Sequence, residues 1–137
     1  MDQSVSPVRP VTDLGDRGDM TTYLINHLRI PNGVPTPNGL EYLERVEETF
    51  APYGGRYLVL DAPVQSLEGA WSGSAVLMEF PDMDAAKAWY FSPAYQEILP
   101  LRTGTSISDL VLVDAAAADF TAKRWAGQIR AEIARST

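Results

Sequence analysis

The stretch EFPDMDAAKAWYFSPAYQEILPLRTGTSISDLVLV, from Glu79 to Val113, decides the fold. It reads as the end of one strand, a helix, a Ser-Pro hinge, a second short helix and a final strand. Asp82 is placed to cap the first helix, which turns Met83, Ala86 and Tyr90 inward with Trp89 beside them. Ser92 is placed to cap the second, with Pro93 at its first position, where a missing N–H costs nothing. Gly104 closes that helix, and Asp109 to Val113 forms the last strand.

Upstream, Thr22 to Ile30 (TYLINHLRI) reads as the first strand. Tyr23, Ile25, His27 and Arg29 fall on one face; Leu24, Asn26, Leu28 and Ile30 fall on the other. A stiff proline-rich loop, Pro31 to Asn38, leads into a helix. Asn38 is its expected cap, with Glu41 returning a hydrogen bond, and Leu40, Leu43, Val46 and Phe50 form its apolar stripe. Pro52 and Gly54-Gly55 end it. Arg56 to Leu60 is a second strand, broken at Ala62-Pro63, after which Val64 to Gly69 resumes extended chain. Ser72 to Phe80 is a third.

The order is β-α-β-β-α-β, the split βαβ or ferredoxin-like arrangement of the α+β class. Its two crossover helices cover one sheet face. Yet the third strand is apolar on both, with Val76, Met78 and Phe80 on one side and Ala75 and Leu77 on the other. An uncovered apolar face needs a second layer, and another copy of the same sheet is the simplest one. A homodimer through the sheet faces is therefore expected.

Composition bounds the rest. The 137 residues, 45% of them hydrophobic, suit one domain with a modest core. A net charge of -7 argues against nucleic acid or anionic membrane surfaces as partners. The absence of cysteine excludes disulfides and thiolate chemistry and fits a cytoplasmic location. Residues 1–20 are rich in Pro, Gly, Ser and Asp and lack the apolar run of a signal peptide, so they read as a disordered lead-in. Residues 21–114 form the expected domain. Residues 115–137 form a C-terminal helical extension, with Ala122, Ala126, Ile129 and Ile133 as its stripe.

From Thr22 to Val113 the chain resembles the bacterial family called domain of unknown function 1330, of the dimeric α+β barrel superfamily. The matching pieces, in order, are YLINHLRI, YGGRYLV (Tyr53 to Val59), LEG (Leu67 to Gly69), EFPD (Glu79 to Asp82), AWYFSPAYQ (Ala88 to Gln96), LRTG (Leu101 to Gly104) and DLVLV. The resemblance implies two ferredoxin-like units with their sheets face to face. Other branches of that superfamily include cofactor-free monooxygenases, muconolactone-type isomerases and haem-using enzymes. The sequence departs from the family pattern in its proline-rich loop and in Leu60-Asp61-Ala62, where members carry a basic residue and glycines.

Several residues are candidates for chemistry. Histidine is the side chain whose unperturbed pKa lies near operating pH, so His27, the lone histidine, is the candidate general base or acid; the competing reading is a histidine satisfied by hydrogen bonds. Arg56 and Arg102 are candidates to clamp a carboxylate or phenolate, against ordinary salt bridges. Glu79, on a strand otherwise apolar, is a candidate partner for His27 or an arginine. Tyr95, Tyr57 and Trp89 are candidate pocket walls, and Asn26 a polar contact. No metal-ligand spacing, phosphate loop or dinucleotide fingerprint occurs, so no metal and no cofactor is expected. These features describe a small-molecule pocket protein. The reading is a cofactor-free isomerase, cyclase or monooxygenase acting on a small aromatic or carbonyl metabolite by His-assisted proton transfer. The alternatives are a non-catalytic ligand-binding dimer or an assembly module.

Overall fold

Four strands pair antiparallel in the order β2-β3-β1-β4: β1 (Thr22–Arg29), β2 (Arg56–Pro63), β3 (Ser74–Phe80) and β4 (Ile107–Asp114). Three helices belong to the same unit: α1 (Pro37–Phe50), α2 (Met83–Tyr90) and α3 (Pro93–Thr103). The structure is a computed structural model, and it describes residues 20–136. The expected disordered lead-in lies outside the described residues apart from Met20. Thr21–Ala115 forms one unit, and Ala116 onward belongs to a second, which includes α4 (Ala122–Ser136). The first unit has the ferredoxin-like α+β fold.

Strand register sorts the side chains. Leu24 lies opposite Met78 on β3 and Leu112 on β4, while His27 lies opposite Ala75 and Asp109. Successive side chains alternate. Leu24, Asn26, Leu28, Val76, Met78, Phe80, Leu110 and Leu112 therefore share the helix-facing side. Tyr23, Ile25, His27, Leu77, Glu79, Val111 and Val113 share the outer side. The core forms where the inner side meets Tyr42, Val46 and Phe50 of α1, Ala86 and Trp89 of α2, and Tyr95 and Ile98 of α3. Each large apolar side chain buried there contributes about 1.5–3 kcal/mol.

Three local expectations are corrected. The cap of α1 is Thr36, whose hydroxyl accepts the Gly39 N–H at 3.2 Å, with Pro37 in the first turn; Asn38 already lies inside the helix. The buried stripe is Tyr42, Val46, Thr49 and Phe50, whereas Leu40 and Leu43 stay 49% and 42% exposed. The second strand does not stop at Leu60. It continues to Pro63 through two register shifts, with Asp61 in the left-handed region at φ 51. Val64 to Gly69 forms no strand.

The caps at Asp82 and Ser92 form as the sequence implies. Asp82 Oδ1 accepts the Ala85 N–H at 2.8 Å, and Ser92 Oγ accepts the Tyr95 N–H at 3.2 Å. Helix α4 carries an N-terminal contact of its own, Thr121 Oγ1 accepting the Arg124 N–H at 3.1 Å, and none of its described residues is fully buried. No described helix is long and apolar enough to cross a membrane.

Candidate functional site

A cavity of about 330 Å³ lies between the sheet and the helices of the ferredoxin-like unit. Leu24, Asn26 and Leu28 of β1, with Val76 and Met78 of β3, form its floor. Tyr42 and Leu43 of α1, Trp89 of α2, and Tyr95 and Arg102 of α3 form its walls. Tyr57, Leu60 and Asp61 of β2 and Ile30 and Pro35 of the proline-rich loop complete the lining. The volume sits at the low end of the range for small-molecule sites.

Local chemistry aims the polar groups. Ser92 Oγ donates to the Trp89 carbonyl at 2.7 Å while accepting from the Tyr95 N–H, so one hydroxyl joins the end of α2 to the start of α3. That junction sets Trp89 and Tyr95 against each other, ring centroids 4.2 Å apart. At the other end of α3, Thr105 Oγ1 donates to the Leu101 carbonyl at 2.8 Å and Ser106 Oγ to the Arg102 carbonyl at 3.0 Å. These bonds satisfy carbonyls that a helix end leaves open and fix the backbone that carries Arg102. Tyr95 and Arg102 are two turns apart, hence on one helix face.

The result is a linked array. Arg102 Nε donates to the Tyr95 hydroxyl at 3.3 Å, and the Tyr95 and Tyr42 hydroxyls are 2.8 Å apart. The Arg102 guanidinium also lies 5.9 Å from the Tyr42 ring centre, within cation–π range. Burial works against the Arg102 cation, but the Tyr95 and Tyr42 oxygens outweigh it and hold the group above its ordinary pKa. Burial pushes the Tyr42 and Tyr57 phenols above the usual phenol range, with Tyr95 adding to both. At neutral pH a charged Arg102 therefore stands beside neutral Tyr42 and Tyr57 phenols. Asn26, 5% exposed, has its side-chain oxygen buried without a hydrogen-bond partner.

Of the residues singled out from sequence, Asn26, Tyr57, Trp89, Tyr95 and Arg102 line this cavity. His27, Glu79 and Arg56 do not. They sit on the outer sheet face, because their strand parity is opposite to that of Asn26 and Met78. His27 and Arg102 consequently share no cavity. Arg29 Nη1 donates to His27 Nδ1 at 2.9 Å, so that nitrogen is an acceptor and the proton sits on Nε2, which donates to the Ser72 carbonyl. Trp71 lies over the ring at 4.2 Å. Glu79 is paired with Arg56 rather than with His27. Among the described residues, no group of three or more His, Asp or Glu is placed to hold a metal ion.

The model for the family described as Domain of unknown function (DUF1330) matches residues 21–116. The chain belongs to the DUF1330 family. Among solved structures, this DUF1330 chain is similar to a protein of unknown function from Rhodopseudomonas palustris, with 15% identity over 82% of this chain and 98% of that one, at a TM-score of 0.56. A mutant of SnoaB, a cofactor-independent oxygenase from Streptomyces nogalater, aligns at 20% identity over 76% of this chain and 97% of that one, TM-score 0.50. A dimeric ferredoxin-like protein of unknown function from Thermobifida fusca aligns at 17% identity over 72% and 92%, TM-score 0.46. No curated protein matches. At these identities the first two likenesses establish the fold alone.

Sequence reasoning missed Tyr42 and the cavity role of Asp61. Tyr42, Val46, Thr49 and Phe50 are spaced as a helical stripe as good as the leucine one, and that spacing was the available signal. Asp61 carries no such signal. Its carboxylate accepts from the Ser74 hydroxyl, and its left-handed backbone arises from an irregularity in β2.

Proposed function

We propose that this DUF1330 domain is a small-molecule enzyme whose reaction chamber is the cavity between sheet and helices. In it, Arg102 with Tyr95 beside it stabilises negative charge on a substrate oxygen. The observation that carries this reading is a half-buried guanidinium, without a carboxylate partner among the described residues, on the wall of a largely apolar cavity. An enolate or phenolate forming there gains a charge-assisted hydrogen bond in surroundings of low dielectric. Isomerisation, cyclisation and oxygenation of small aromatic or carbonyl compounds all pass through such an anion. SnoaB is an instance of cofactor-independent oxygenase chemistry on this fold. Proton transfer in the chamber falls to Asp61, a carboxylate on the same lining, rather than to His27, whose ring nitrogens are engaged on the other face.

A second copy of the chain covers the outer sheet face. Ile25, Ile107, Val111 and Val113 stand exposed there, Val111 by 55%, and a face of this kind is stabilised by burial. In this reading His27, Glu79 and Arg56 belong to the dimer face. Light scattering tests it: wild type gives the mass of two chains, Val111→Glu the mass of one, and a monomeric wild type contradicts it.

Saturation-transfer NMR with indole, a neutral probe, tests the chamber. Wild type transfers magnetisation to indole and Val76→Phe, which narrows the cavity, does not; equal transfer from both contradicts the reading. A non-catalytic binding module is the second reading, favoured by the absence of any histidine from the cavity lining. Incubation with a metabolite extract separates the two. An enzyme depletes a compound that Arg102→Gln leaves in place, whereas a binding module depletes nothing.

A further inference from the structure

The geometry points to a small aromatic acid as the ligand of this cavity: a planar monoanion whose carboxylate sits on Arg102 and which donates a hydroxyl to the Asn26 amide. The inference rests on the cavity being the ligand chamber with Arg102 as its anion site, and makes the anion that Arg102 holds the carboxylate the ligand brings rather than one formed in a reaction.

Charge is the first ground. Arg29, Arg45, Arg56, Arg124 and Arg135 each hold a carboxylate. Arg102 holds none among the described residues, although it is more enclosed than most of them and the chain as a whole carries a net charge of -7. Its Nε is used by Tyr95, which leaves the terminal N–H groups, the part of the fork that fits a carboxylate in a bidentate pair.

The second ground is independent of charge. The Asn26 side-chain oxygen is buried on the floor of the same cavity and accepts no hydrogen bond. Buried carbonyl oxygens are ordinarily paired, and an apolar ligand would leave this one open. The oxygen is closed to water as the side chain stands, and a turn about the last Asn26 bond, a soft rotation, brings the amide to a ligand hydroxyl that satisfies it.

Shape and polarity narrow the class. Aromatic side chains line the cavity, Tyr57 the most accessible of them and Trp89 and Tyr95 almost wholly buried behind it, and an aromatic lining suits a flat ligand. About 330 Å³ is room for a molecule of on the order of ten to fifteen non-hydrogen atoms. Asp61, exposed and held by the Ser74 hydroxyl, is the other charged residue of the lining. A second anionic group on the ligand would meet its carboxylate, so one negative charge is favoured over two.

Calorimetric titration tests the assignment with five probes: benzoate, the ortho, meta and para hydroxybenzoates, and para-hydroxybenzyl alcohol as a neutral control of similar size. Wild type is expected to bind the best hydroxybenzoate about tenfold more tightly than the neutral alcohol. In Arg102→Gln the acid and the alcohol are expected to bind alike. Asn26→Leu, of nearly the same shape, is expected to keep the preference for the acid but to bind that hydroxybenzoate no better than benzoate. Near-ultraviolet circular dichroism checks that the variants are folded, and Asn26→Ser replaces the leucine variant if it is not. A wild type that binds the alcohol as tightly as the acids, or an Arg102→Gln that keeps the preference, overturns the inference and leaves the chamber standing. Failure of all five probes while indole still binds also overturns it. If indole fails as well, the chamber reading falls with it.

Discussion

On the outer face of the sheet Arg56 holds Glu79, Arg29 holds Asp109, and His27 uses both ring nitrogens on Arg29 and Ser72. On the helix-facing side, among the described residues, Arg102 holds no carboxylate and the Asn26 oxygen has no donor. The outer charges answer one another, whereas the inner cation rests on phenol oxygens alone. That contrast locates the chemistry better than residue type does. A histidine attracts attention because it titrates near neutrality, but a ring whose two nitrogens are committed has little left to offer a substrate. An arginine kept from solvent without a counter-ion is costly unless a ligand or a set of oxygens supports it, so its presence points to use.

Aromatic residues on the two faces give the largest test of the contrast. Trp89 is 1% exposed, stacks on Phe80 at 5.3 Å and donates to Thr49 Oγ1 at 2.9 Å. Trp89→Ala is expected to cost about 3–5 kcal/mol in guanidinium unfolding. Trp71→Ala, on the outer side beside His27, is expected to cost less than about 1 kcal/mol. Similar losses for the two would break the comparison.

Arginine substitutions give a smaller effect with opposite signs. Arg56→Met leaves the Glu79 carboxylate partly buried and unpaired and is expected to destabilise by about 1 kcal/mol. Arg102→Met strands no carboxylate and is expected to be neutral or stabilising by about 1 kcal/mol, the pattern of a group kept for function. Equal destabilisation by both would show that Arg102 is structural.

The pH responses are the finest test. The Tyr42 and Tyr57 phenols are raised above the ordinary 10.0, chiefly by burial. The stability that their neutral forms provide is intact below pH 10.0 and declines above it, as the unfolded phenols ionise first. Ultraviolet difference titration is expected to show these phenols lagging the exposed ones. On the outer face Asp109 is lowered below 3.8, by the Arg29 hydrogen bond first. Its contribution is present above that value and is lost as pH falls through its folded pKa, which carboxyl NMR titration follows.

Much of the fold was legible because it is written in short-range chemistry. Asp82 and Ser92 cap helices through side-chain oxygens three residues from the N–H they accept, and alternation along Thr22 to Arg29 assigns each side chain to a face. That same alternation already put Asn26 and His27 on opposite faces. Grouping His27 with Asn26, Tyr57, Trp89 and Arg102 as candidates for one pocket overlooked it. The rest depends on packing that no local pattern encodes. Two stripes on α1 were equally periodic, and the one that won brings the Tyr42 hydroxyl to Tyr95. The passage of β2 through Asp61 depends on a shifted register against β3. Asn26, Tyr57, Trp89, Tyr95 and Arg102 were picked as site candidates, whereas Tyr42 and Asp61 emerged only from the fold.

The most direct test of where the chemistry lies is a benzoate titration of isotope-labelled protein, followed by proton–nitrogen correlation of the three tryptophan indoles. Trp71→Phe and Trp125→Phe assign the signals. Trp89 lines the cavity and Trp71 stacks on His27 across the sheet. The account predicts that the Trp89 indole shifts saturably while the Trp71 indole stays in place. A shift at Trp71 with none at Trp89 would contradict it, and would return the site to the face that His27 occupies.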